Sequence, residues 1–539
     1  MADDKAANQS WRKKPRKFHS KSRLGCKTCK IRHIKCDLAR PSCMKCQTTG
    51  RTCDGYNETG LVNADITTVH AEASSSSAPD LYSSSTTLVW PRGALGDGRG
   101  FMSHNPGPFI VLPATAPALG EAMSFFQSIS VQHLSQYRPT EAWSKTLMFF
   151  CQTVPAVRHA AVALALVHRS YHQGSSVQLS DKVPLFYYNK AIQLLLAEHT
   201  GNDAETKSIT LLVCYLFTCF DNLTQNYTQA LAHLRGGAEL SRGFGNNNPR
   251  ATAEGFFSEI VRQIRRLDMQ TVAMITDWDP IDFQDPPVAQ LSLSSGAFES
   301  LEHASNHLQP LIARVMRLHW TSDPTSLMDQ TSPEPRSSKS HVLQQLQAWL
   351  SLFENMLQSE SADGPETHGK RTLLRLQHTT MWIVLNSIGP GREMEFDKYL
   401  PEFKRCVAMA DDMTRHCTSS AGFIFTPEVG VTPVLYIIGV KCRHPVVRRQ
   451  AVNILRWRPI REAVWDSLTT ALVVERVIEI EERRLDDGQK VQGMDQIPVQ
   501  QRIDSLSWRQ EVNGQEVTSL GFAYTLCMQD EEHIEAGLL

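Results

Sequence analysis

Cysteines at 26, 29, 36, 43, 46 and 53 fall as Cys26-x2-Cys29-x6-Cys36, six residues, and then Cys43-x2-Cys46-x6-Cys53, so one half-site is written twice at identical spacing. Thiolate pairs two residues apart are the spacing of structural zinc sites, and each tetrahedral zinc takes four ligands. One zinc leaves two thiols over. Two zincs need eight bonds, which six thiolates supply only if two of them bridge both metals. The pseudo-symmetry limits the bridging pair to Cys26 with Cys43, Cys29 with Cys46, or Cys36 with Cys53, and spacing does not choose among them. The competing use of an even cysteine count is a disulfide framework in a secreted module. It calls for an apolar export signal, whereas this chain starts MADDKAANQSWRKKPRK.

The run from Gly25 to Tyr56, GCKTCKIRHIKCDLARPSCMKCQTTGRTCDGY, closely resembles the fungal binuclear zinc-cluster DNA-binding domain. The resemblance implies two zinc ions and makes Cys26 and Cys43 the bridges. One zinc takes Cys26, Cys29, Cys36 and Cys43, and the other takes Cys43, Cys46, Cys53 and Cys26. Pro41 matches a family proline that fixes the turn between the halves.

The chain has 539 residues and a net charge of -1, which hides an asymmetry. Residues 1–60 hold 15 Lys and Arg against 5 Asp and Glu, a surplus of ten, while the remainder carries the acidic excess. Six thiolates with two zinc ions leave this segment at about +8, which suits a polyanion. A cluster of roughly 30 residues does not fold without its metal, and a chain this long needs at least one large core beyond it. The remaining cysteines, at 151, 214, 219, 406, 417, 442 and 527, are scattered through mostly apolar helical text and read as buried free thiols. The stretch Ile209–Phe220, ITLLVCYLFTCF, is too short to span a bilayer, which takes about 20 residues, and reads as a core helix. No membrane partner is expected.

Five segments follow from composition. Residues 1–24, with Arg12, Lys13, Lys14, Arg16 and Lys17 around Pro15, form a basic disordered arm and a candidate nuclear-import signal. Residues 25–56 are the zinc-cluster DNA-binding domain. Residues 57–118, with Ser74–Ser77 and Ser83–Thr87 among glycines and prolines, read as a disordered linker without the apolar heptads of a coiled coil. Residues 119–485 show helical periodicity, as in Met123, Phe126 and Val131, in Leu185, Tyr188, Ile192 and Leu195, or in Leu343, Leu346, Leu350, Phe353 and Leu357. Helix breaks are expected at GGAELSRGFGNNNPR, DWDPIDFQDPP, residues 321–340 and SADGPETHG. Residues 486–539 form an extension in which WRQEV, Asn513-Gly514 and QEVTSLGFAY read as a β-hairpin. The fold class is therefore mainly α: a small zinc cluster, a linker, and a large all-helical domain with a C-terminal hairpin. Ser208–Leu240 and Lys441–Ser467 resemble fungal-specific transcription-factor regulatory domains.

Recognition chemistry differs between the halves of the cluster. Lys27, Lys30, Arg32, His33 and Lys35 crowd the first half with no acid among them, whereas the stretch Cys43–Cys53 carries only Lys45 and Arg51. The first half is the one that faces DNA, where guanine offers N7 and O6 to Arg or Lys in the major groove. The resemblance implies CGG-type triplets, with Arg32 and His33 at the reading positions. His33 departs from a common Arg-Lys pair, and a neutral imidazole offers one donor. Lys30 and Lys35 suit phosphate.

Two weaker constellations read as structural. His168 and His172 have metal-binding spacing but lack the Glu of a zincin, and read as a solvated helix edge. Arg443, Arg448, Arg449, Arg456, Arg458 and Arg461 read as the charged face of an amphipathic helix. No nucleophile motif, phosphate-binding glycine loop or carboxylate pair points to an enzyme. The expectation is a nuclear, sequence-specific regulator of RNA polymerase II genes. Its expected partners are double-stranded DNA, the transcription machinery and a small-molecule effector, and the missing heptads leave binding either as a monomer or as a homodimer paired through the helical domain.

Overall fold

The computed structural model describes residues 26, 28–29, 36–37, 43–49 and 52–53 of the cysteine segment. Of residues 117–538 it describes all but 139, 176–181, 199–203, 243–254, 273–274, 276–277, 282–295, 322–338, 360–364, 417–421, 484–490, 514–515 and 529–531. These residues fall into two compact units, Met1–Trp90 and Pro91–Leu539. The basic arm and the linker to residue 116 lie outside the described residues, as does Cys417. In the first unit the second CxxC pair opens a single helical turn, α1 (Met44–Gln47).

The second unit is organised around two hydrophobic cores. The first gathers α2 (Pro117–Phe125), α3 (Val131–Leu134), α4 (Glu141–Thr153), α5 (Pro155–His172), α6 (Lys182–Glu198), α7 (Ala204–Leu223), α8 (Tyr227–Arg242) and α9 (Gly255–Thr271). Local signals explain where these helices begin. Thr140 caps α4 by accepting from Trp143 N at 3.3 Å, and Pro155 opens α5, where its missing N–H costs nothing. Ala156, Ala160, Ala161 and Ala163 keep α5 thin enough for its neighbours to approach closely. Helix α7 carries the apolar run 209–220 and is buried nearly all round, as expected of a core helix. Helix α8 does not break at its glycine pair but continues through Gly237 to Arg242. A Cβ on Gly237 would lie 3.3 Å from Ile264 Cδ1 and 3.4 Å from Cys214 Cβ, so the glycine lets three helices pack closely.

The second core gathers α10 (Leu301–Thr321), α11 (Lys339–Ser359), α12 (Pro365–Asn386), α13 (Leu400–His416), α14 (Thr432–Lys441), α15 (Pro445–Trp457) and α16 (Ser467–Glu482). On α11, Leu346, Trp349 and Phe353 are buried while Leu350 faces solvent, so the buried stripe is narrower than the leucine spacing suggests. No single helix among the described residues is long and apolar enough to cross a membrane. The thiols of Cys151, Cys219, Cys406, Cys442 and Cys527 are buried and free, and Cys214 is half-buried.

The all-helical expectation needs one correction. Strand β1 (Ile424–Thr426) pairs in parallel with β2 (Ile460–Glu462), which pairs antiparallel with β3 (Trp465–Asp466). Strands of two or three residues are too short to show an alternation of burial. Phe425 of β1 belongs to the first core, although the helices on either side of it belong to the second. Glu462 at the end of β2 accepts from Gly430 N, Val431 N and Thr432 N at 2.9–3.1 Å and from the Tyr137 hydroxyl, capping the start of α14. At the C-terminus, β4 (Ile503–Asn513) and β5 (Glu516–Leu526) form the expected hairpin, with Asn513 opposite Glu516. A third strand, β6 (Glu532–Leu538), pairs with β5 and has no counterpart among the sequence expectations.

Two polar constellations are also corrected. Arg443, Arg448 and Arg461 do not lie on a charged face: all three are buried, Arg443 and Arg448 against Glu481, Arg461 against Asp466 and the Leu223 carbonyl. His168 is likewise fully buried, with Nε2 at 3.1 Å from His133 Nδ1 and Nδ1 at 2.9 Å from Ser130 Oγ. His172 bonds the Phe423 carbonyl through Nδ1 at 2.9 Å.

Candidate metal centre

Five of the cysteines, Cys26, Cys29, Cys36, Cys43 and Cys46, are buried against one another, and Cys53 packs on them. The separations between sulfurs are 3.6 Å for Cys26–Cys43 and Cys29–Cys43, and 3.9 Å for Cys26–Cys46 and Cys29–Cys46. A tetrahedron of sulfurs placed about 2.3 Å from zinc has edges of about 3.8 Å, so these separations fit that metal. Backbone N–H groups also point at sulfur, Cys26 N at Cys36 Sγ over 3.5 Å and Cys29 N at Cys26 Sγ over 3.4 Å. Such donors stabilise thiolate. Burial pushes the Cys26 thiol up to about 12, and pushes those of Cys29 and Cys43 up as well. Thiols so placed keep their protons at neutral pH unless a cation takes their place, which is what a soft divalent metal does.

The polypeptide around the sulfurs is held by groups that spacing alone does not reveal. Asp37, directly after Cys36, accepts from Met44 N and Lys45 N at 3.0 and 2.9 Å, and so caps α1 of the other half. Thr28 Oγ1 donates to the Thr52 carbonyl at 3.2 Å, a second tie between the halves. An acid beside the third cysteine is the one signal that points to the first of these. Lys27, Lys30, Arg32, His33 and Lys35 lie outside the described residues, as do Pro41 and Arg51. Lys45, on α1, is exposed.

A cluster of cysteine sulfurs at zinc-like separations, on a separate unit from a large helical domain, defines a metal-nucleated module on a chain with a large helical body. Comparison with known families makes this specific. Residues 24–60 match the fungal Zn(2)-Cys(6) binuclear cluster domain, and residues 122–461 match the fungal specific transcription factor domain. The chain belongs to the fungal-specific transcription factor family, as a transcription regulator with a zinc-cluster DNA-binding domain, and its cofactor is a pair of zinc ions.

Among its relatives is an aspercryptin biosynthesis cluster-specific transcription regulator of Emericella nidulans, 26% identical over 86% of this chain and 88% of the relative. A transcription regulator of Purpureocillium lilacinum is 23% identical over 66% of this chain and 85% of its own length. A Zn(2)-C6 fungal-type transcription factor of Gibberella zeae is 46% identical, over only 10% of this chain and 11% of its own. No solved structure matches.

Proposed function

We propose that this protein is a nuclear, sequence-specific regulator of RNA polymerase II genes that reads CGG-type triplets in the major groove through residues 25–56. The observation that carries this reading is the sulfur cluster at 3.6–3.9 Å on a strongly basic segment. Cys26, Cys29, Cys36, Cys43, Cys46 and Cys53 are its zinc ligands, with Cys26 and Cys43 shared by both metals. The 3.6 Å approach of Cys26 to Cys43 is compatible with a shared pair at these positions. Zinc supplies charge and a fold here rather than a reaction. The protein's own residues do the reading: Arg32 and His33 address base edges, Lys30 and Lys35 address phosphate, and Lys27 adds to the DNA-facing charge.

Residues 1–24 serve as the import arm and 57–118 as the linker. Residues 119–485 form the regulatory domain, which pairs two copies, meets the transcription machinery and answers to a small-molecule effector. Residues 486–539 extend that domain. The name of the Emericella relative supports the control of a biosynthetic gene cluster as the setting.

Zinc content and duplex binding of the purified full chain test this. Two zinc ions per chain are expected, with retention of a duplex containing CGG over a scrambled one and affinity that falls steeply with salt. A single zinc, or equal binding to both duplexes, would overturn it.

A further inference from the structure

A cavity of about 840 Å³ lies where the two cores of the second unit meet. Met269 and Gln270, at the end of α9, belong to its first wall. Helices α10, α12 and α14 of the second core form the opposite walls, and β3, α16 and β4 of the C-terminal sheet close it. Protein interiors pack with few voids larger than a water molecule, whereas small-molecule sites measure about 300–1,000 Å³. A cavity of this size, lined by side chains from both cores, falls within the range of small-molecule sites.

The walls state what fits. Tyr436, Trp465 and Trp508 come from three different elements and form an aromatic corner, with ring centroids 5.2, 5.3 and 6.0 Å apart. Met269, Met316 and Met381 add polarizable, adaptable surface around it. The polar part combines side-chain amides with Thr469, Thr470 and Asp466. Gln270 Oε1 accepts from Val429 N at 3.1 Å, Gln377 Nε2 donates to the Val429 carbonyl at 3.3 Å, and Gln309 Nε2 donates to Gln377 Oε1 at 3.4 Å. These bonds hold the amides in place at the wall.

Charge is almost missing from the lining. Among its described residues Asp466 is the one charged side chain, and it is already engaged by Thr469 N at 2.9 Å and Arg461 Nη2 at 3.4 Å. An anionic ligand would meet no cation there, and a cationic one would compete with Arg461 for the carboxylate. Desolvating an unmatched charge is costly, so the lining selects against both.

We infer that this cavity binds an uncharged aromatic molecule bearing carbonyl, amide or hydroxyl groups, with its rings in the Tyr436–Trp465–Trp508 corner and its polar edge toward the glutamines. The assignment rests on the effector reading of the regulatory domain and gives it a place. Because Trp508 stands on β4 while Met269 stands on α9, the ligand spans elements of both cores and the C-terminal sheet.

A matched pair of dyes tests the assignment on the full chain: uncharged N-phenyl-1-naphthylamine and its sulfonated counterpart, 8-anilinonaphthalene-1-sulfonate. Saturable binding of the neutral dye at one site per chain is expected, at least tenfold tighter than the sulfonate. Trp508→Ala removes a wall of the corner, and Leu506→Trp, on the same face of β4, fills the space beside it. Each is expected to weaken the neutral dye at least tenfold with a thermal midpoint within about 2 °C of the parent. If one variant fails to fold, the other carries the test. No saturable binding, equal affinity for the two dyes, or full affinity in a folded variant overturns the site. Saturable binding that obeys these rules while duplex affinity and reporter output stay unchanged upholds the site and removes the effector reading.

Discussion

Arg448 donates through Nη2 to Glu481 Oε2 over 2.9 Å, and neither side chain reaches solvent. The other carboxylate oxygen of Glu481 takes Arg443 Nη2 at 2.9 Å and the Ile503 N–H at 3.0 Å. Arg443 in turn meets Glu393, which also binds Lys441 at 2.6 Å. One carboxylate at the end of α16 therefore ties the α14–α15 connection, α15 and the first residue of β4 together. Burial works to raise the Glu481 carboxyl, but the two guanidiniums outweigh it and hold the group below the usual carboxylate range.

Removing Glu481 takes the close carboxylate from buried Arg448 and leaves buried Arg443 with Glu393 alone. Glu481→Ala should destabilise the regulatory domain by about 3–5 kcal/mol, read as a large fall in the urea midpoint. Glu482→Ala breaks the partly exposed pair with Arg449 and should cost under about 1 kcal/mol. Similar midpoints for the two variants would contradict the network.

Acid should weaken the first core. Burial, with smaller effects from His172 and Arg458, pushes His133 down to about 4 from an ordinary 6.5. His168 is pushed the same way by burial. The unfolded chain takes up these protons near 6.5 and the folded chain only near 4, so stability is complete above that window and declines as pH falls through it. Thermal midpoints from pH 7.5 to 4.5 should fall, and His133→Asn should flatten the decline.

Zinc removal should separate the two units functionally. A chelator, or Cys36→Ala, is expected to abolish duplex binding and leave the cooperative helical melt of the regulatory domain within about 2 °C of the untreated protein. Loss of both together would show that the metal also supports the large domain.

Base and phosphate contacts should be distinguishable by salt. Arg32→Ala is expected to relax discrimination at a guanine by about 1–3 kcal/mol, whereas Lys30→Ala should weaken all duplexes alike and lower the slope of log affinity against log salt by about 1. Gel-shift titrations at several salt concentrations separate the two.

The parts of this protein legible in its sequence are those set by local spacing. The cysteines, the core helix α7 and the C-terminal hairpin needed only neighbours within a few residues. The partners of Arg443 and Arg448 lie 38 and 33 residues away, so a run of arginines on a helix with apolar spacing read as a solvated face. His168 was misread for the same reason, since Ser130 and His133 reach it from 38 and 35 residues upstream. Asp37 was missed because its role is to cap a helix seven residues further on, across the boundary between the two half-sites.

Strand β1 and the residues after it have a wider consequence. Phe425 fills a place in the first core, Phe423 N bonds the His172 carbonyl at 3.0 Å, and Glu428 reaches Arg266 at 3.2 Å. The chain thus returns to its own first half some 150 residues after leaving it. A fragment ending between the two cores would lack the piece that closes the first one, and a fragment starting there would carry that piece with nothing to receive it. The regulatory body is a single inheritance unit, with no interior seam at which evolution or an engineer can divide it.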